Sequence, residues 1–244
     1  METIKDRDSI EELRWLIQSI PNEFGITNSD NQKTKLLLFA SCSLVRLARD
    51  ISQGILTLLE SANNESALML ERNLYELWCE FRCLINNSEK GAAKMYLNSI
   101  IEVQEFYIDN QEFSNSNYSI KLNGLMQFLE SEYPEQKGEV LRQRKDFKFH
   151  WSGMNQTKMV KSVASDDTTI YKFLSWETHS TLTPLNDILK IKDDNFTVGD
   201  KSNRFIVQPE GIANRTTNYL LFLFNEFAET FELEEIDLKL FYKE

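Results

Sequence analysis

The chain has 244 residues, 41% hydrophobic and 27% charged, enough to bury a sizeable core as one large domain or two small ones. Its net charge of −11 excludes a general nucleic-acid coat, since phosphate binding is driven by Lys and Arg, though it is compatible with a local basic site. With only 8 Gly and 4 Pro, turns are few and elements should be long.

Asp8 or Ser9 can cap a first helix carrying Ile10, Leu13, Leu16, Ile17 and Ile20, which Pro21 stops. After the loop PNEFGITNSDN, a helical and mostly apolar pattern runs from Gln32 to Ser61 through Leu36, Leu37, Phe39, Ala40, Leu44, Leu47, Ile51, Ile55 and Leu58. The segment NNES breaks it. A long helix is predicted from Ser66 to Ile85, ended by NNSEKG, and a fourth from Ala92 to Gln111. After the polar loop EFSNSNYS come helices Ile120 to Tyr133 and Glu135 to Phe149, with Pro134 suited to the first turn of the second. A short helix is predicted over Gln156 to Ala164, and SDDTT caps another from Ile170 to His179. In the span 188–209, FTVGDKSNRFIV has two β-rich ends around a turn, which predicts a small hairpin. NYLLFLFNEFAETF is a closing core helix, within closing C-terminal helices over 210–244. The expected fold is mainly α: a single-domain helical bundle with long central helices and short connections.

The most apolar run, KLLLFASCSLV, is too short to span a bilayer, and METIKDRDSI is charged from the start, unlike a signal peptide. A cytoplasmic protein without a membrane partner is expected. The three cysteines show no CxxC pattern and read as reduced, buried thiols.

Three polar groupings do not belong on a plain bundle. On the third helix Leu70, Leu74, Leu77, Trp78, Phe81, Leu84 and Ile85 form one wide apolar face. Arg72 and Glu76 lie opposite, beside Leu68, Met69, Cys79 and Cys83, so the helix is apolar on both sides. The pair reads either as an ordinary exposed i,i+4 pair or as two groups set in a buried surface, costly there unless paired or used. Next, His150-Trp151-Ser152-Gly153 follows the basic stretch RQRKDFKFH. Here Ser152 or Asn155 can cap the next helix and Trp151 can roof an apolar pocket. His150 can act as a base near neutral pH, or as a cation against phosphate. Last, Tyr171, Ser175 and His179 fall at i, i+4 and i+8 on one side of a helix, bordering the core side marked by Ile170, Phe173 and Leu174.

Arg72-Asn-Leu-Tyr-Glu76, His150-Trp-Ser-Gly153 and Tyr171-x3-Ser175-x3-His179 resemble, in this order, the motifs of a family of bacterial helical proteins classed as a domain of unknown function. The resemblance covers about residues 35 to 185. It implies that the polar set belongs to one site, and it implies no activity. Arg144 and His150, with five residues between them, more loosely resemble the Arg-x4–6-His of the HEPN superfamily of helical ribonucleases. Two features depart from that superfamily: Lys145 follows the Arg, and the element sits mid-chain before a Gly turn.

The HEPN resemblance implies a metal-independent ribonuclease or phosphodiesterase without cofactor, acting on RNA as a homodimer, in the manner of a toxin or phage-defence effector. His150 and His179 would be base and acid, Arg72 or Arg144 the phosphate ligand, with Glu76, Tyr171 and Ser175 in the catalytic set and Trp151 and Ser152 against the substrate. A second reading is a non-catalytic ligand-binding or regulatory module that uses the same pocket for a small molecule or protein. A third is a carboxylate–histidine metal site of Glu76, His150 and His179, although the usual Glu-x-x-His spacing is absent. No P-loop, Rossmann glycine pattern, His-Glu-x-x-His or nucleophile elbow is present.

Overall fold

The computed structural model describes residues 8–21, 32–107, 117–146, 150–163, 172, 174, 189–192, 195–198 and 208–233. These are mainly helical, as expected: α1 (Ser9–Ser19), α2 (Gln32–Glu60), α3 (Asn64–Tyr107), α4 (Asn117–Glu132), α5 (Pro134–Lys145), α6 (Gln156–Val163) and α7 (Pro209–Thr230). An antiparallel pair of strands, β1 (Leu189–Lys192) and β2 (Asn195–Val198), precedes α7. Phe196 in β2 pairs with Ile191 in β1. The hairpin thus falls in the expected span, but the partner of FTV is the upstream LKIK; the expected downstream partner lies outside the described residues. The chain divides into two compact units, one of Met1–Gly25, Ser43–Phe81 and Ala164–Glu244, the other of Ile26–Cys42 and Arg82–Val163.

In the first unit the Asp8 carboxylate caps α1, accepting from the backbone N–H groups of Ile10 at 3.0 Å and Glu11 at 3.4 Å. At the other end of α1, Arg49 Nε donates to the Ile17 carbonyl at 3.1 Å, satisfying an acceptor the helix leaves unpaired. Leu13, Leu16 and Ile17 are buried, and α1 packs along α7. Helix α2 ends where Asn63 N–H reaches back to the Leu58 carbonyl at 2.8 Å, with Ala62 at φ 56°. This is a Schellman-type stop, with alanine where glycine is usual. Contacts between α3 and α7 advance together, Glu71 with Arg215, Tyr75 with Tyr219, Trp78 with Phe222, so the two helices run in the same direction.

In the second unit the predicted break at NNSEKG is a kink within one 44-residue helix. Ser88 sits there at φ 53°, ψ −142°, outside helical geometry. Asn87 Nδ2 donates to the Cys83 carbonyl at 2.8 Å, so an acceptor near the kink keeps a partner. A Cβ on Gly91 would stand 2.8 Å from Asn87 Cβ, so this close approach requires glycine. Helices α4 and α5 pack together around Pro134, which occupies the first turn of α5 as its fixed φ favours. Helix α5 ends at Lys145, short of the predicted Phe149.

Candidate functional site

The two-sided burial predicted for α3 is present in the first unit. Leu74, Tyr75, Leu77, Trp78 and Phe81 are buried on one side, and Leu68 and Cys79 on the other; Met69 is exposed. Arg72 Nε donates to Glu76 Oε1 at 2.8 Å, with the side chains 17% and 25% exposed. Neither group projects into bulk water, so the pair is stiffer and less screened than an ordinary surface pair.

One residue earlier lies a group that the sequence reading passed over. Glu71 has no exposed surface, and Arg215 grips its carboxylate in a fork, Nε to Oε1 at 2.5 Å and Nη2 to Oε2 at 2.8 Å. Burial pushes the Glu71 carboxyl above its usual range, against the pull of Arg215. Burial opposes the Arg215 charge, yet the bonds and charge of Glu71 hold that guanidinium firmly protonated. An available signal was the position of Glu71 inside the apolar stripe, angularly between Tyr75 and Trp78. Those two rings and Tyr219 close over this part of the α3–α7 seam, with centroids 5.1–5.9 Å apart.

In the second unit the His-Trp-Ser-Gly element is a tight turn, closed by Gly153 N–H to the His150 carbonyl at 2.9 Å. Gly153 has φ 69°, a left-handed conformation that favours glycine, and a Cβ there would push aside the Gln143 side-chain amide, whose Nε2 would stand 2.5 Å away. His150 is half-buried and Trp151 is 3% exposed, their ring centroids 5.4 Å apart. His150 Nδ1 lies 2.7 Å from Ser152 Oγ and accepts from the Ser152 backbone N–H at 3.3 Å. Ser152 Oγ also accepts from the Met154 N–H at 3.2 Å. Of the two expected caps for α6, Asn155 serves, its Oδ1 accepting from Lys158 N–H at 2.9 Å. Arg82 Nη1 donates to the Val163 carbonyl at 2.8 Å at the far end of α6.

Arg144 is 9% exposed and committed within the same unit. It donates to Asn98 Oδ1 at 3.0 Å, and pairs with Glu102 and, more closely, with Glu105. Tyr171, Ser175 and His179 lie outside the described residues, as does Glu177; Leu174, expected on the core side of that segment, is fully buried. Among the described residues no three His, Cys, Asp or Glu side chains are grouped to hold a metal, and no helix is long and apolar enough to cross a membrane. All three cysteines are free thiols; Cys79 and Cys83 are buried, and burial pushes the half-buried Cys42 thiol up.

No curated protein and no solved structure shows significant similarity to the chain. One family, DUF5677, described as a family of unknown function, matches residues 38–196. That span holds α3, the histidine turn and the Tyr171–His179 segment, and covers more than half of the chain. The chain belongs to the DUF5677 family of unknown function.

Proposed function

We propose that this protein is a metal-independent ribonuclease or related phosphodiesterase of the HEPN type, working as a homodimer in a toxin or phage-defence role. The observation that supports it is the histidine turn. His150 is oriented through one ring nitrogen by the backbone and hydroxyl of Ser152, in a turn that ends on the left-handed Gly153. Imidazoles used in chemistry are commonly held this way, through the nitrogen that does not meet the ligand. In the reaction the 2′-oxygen bonds to phosphorus as the bond to the 5′-oxygen breaks. The 2′-proton passes to a base, the leaving oxygen takes a proton from an acid, and donors or cations hold the phosphoryl oxygens. His150 and His179 are the two imidazoles available for these tasks. Arg72, paired with Glu76, and Arg144, matched by two carboxylates, are the two arginines to test as phosphate ligand.

The test is cleavage of labelled single-stranded RNA and tRNA by wild type, His150→Ala and His179→Ala, with circular dichroism as the folding control. Each substitution is expected to cut the rate by at least about 10². Chelator should leave activity intact, and a 2′-deoxy substrate should be inert. Cleavage that survives both substitutions refutes the mechanism. A wild type that cuts nothing favours the second reading, a non-catalytic ligand-binding or regulatory module, which is supported by the commitment of Arg144 to Asn98, Glu102 and Glu105.

A further inference from the structure

The histidine turn carries more than an orientation. A backbone N–H cannot rotate away from its acceptor, whereas a hydroxyl can. The Ser152 N–H is aimed at His150 Nδ1 at 3.3 Å, so Nδ1 presents its lone pair there. Ser152 Oγ accepts from Met154 N–H at 3.2 Å and lies 2.7 Å from the same Nδ1, so its own proton completes the arrangement by pointing at Nδ1. Both donors thus select one neutral form of the ring, with the proton on Nε2.

We infer that Ser152 is a positioning residue which holds His150 as the Nε2–H tautomer, so that His150 meets an anionic oxygen as a neutral hydrogen-bond donor and not as a base. This deepens the ribonuclease proposal and rests on it for the identity of the anion, a phosphodiester. It moves Ser152 from substrate contact to control of the ring. It leaves base duty to another group, with His179 the remaining imidazole. A neutral imidazole can stabilise charge on oxygen without giving up its proton.

The direct test is imidazole ¹⁵N NMR of the full chain at about pH 8, where an unperturbed imidazole is neutral. The chain has two histidines, so His179→Gln assigns both rings. Wild-type His150 should show a protonated Nε2 and a bare Nδ1. Ser152→Ala should raise the Nδ1–H to Nε2–H ratio by about fivefold, roughly what one ordinary hydrogen bond sets, and Ser152→Thr should restore it. A predominantly Nδ1–H ring in wild type, or a ratio indifferent to Ser152→Ala, overturns the assignment. The donor role has its own readout in RNA cleavage. His150→Gln keeps an N–H near the Nε2 position and should stay within about tenfold of wild type, while His150→Ala loses about 10² or more. Equal loss in both variants overturns the donor role. An Nε2–H ring in a protein that cleaves no RNA would uphold the work of Ser152 and reject the ribonuclease, so the two failures are distinguishable.

Discussion

Glu71 and Arg215 form a deeply buried ion pair in the first unit, although neither stands in a recognisable motif. A carboxylate with no exposed surface is tolerated because two guanidinium nitrogens meet both its oxygens. Removing one partner strands the other. Glu71→Leu or Arg215→Met alone should each cost about 3–5 kcal/mol, because an uncompensated charge is left in the α3–α7 seam. The double variant should recover most of that loss, since apolar side chains of similar size suit the surrounding aromatics. Urea unfolding of all four proteins measures the coupling, and additive losses in the double variant would disprove it. The contrast with Arg72–Glu76 shows what local sequence can reveal. That pair is four residues apart on one helix and was legible; Glu71 and Arg215 are 144 apart, and only folding introduces them.

Helix boundaries were legible where side chains set them locally. Asp8, Pro134 and Asn155 act where their chemistry places them. The stop after α2 follows less usual chemistry, with Ala62 in the left-handed region at φ 56°. Ala62→Gly should therefore stabilise the protein by about 1 kcal/mol, seen as a higher urea midpoint at unchanged slope. A midpoint that stays or falls would mean that the lost methyl contacts outweigh the relieved backbone. The NNSEKG segment was readable as an interruption but not as a kink. Asn87 supplies a partner to the Cys83 carbonyl and Gly91 makes room for Asn87, so helical geometry resumes beyond Ser88.

At the scale of the molecule the charge of −11 is a self-repulsion that opposes compactness. Raising ionic strength from about 20 to about 200 mM shortens the Debye length from roughly 20 Å to below 10 Å and should raise the melting temperature. A fall on adding salt would show that attractive pairs such as Arg144 with Glu102 and Glu105 outweigh the net repulsion. The sequence by itself determined the mainly helical class, most helix ends and the histidine turn, because periodicity, capping and left-handed glycine act over a few residues. Tertiary structure alone decided that two units are assembled from interleaved stretches, that Arg144 is spent on α3, and that Glu71 has a distant cation. Those outcomes depend on which desolvated surfaces and charges meet when the chain collapses, and no local pattern encodes such meetings.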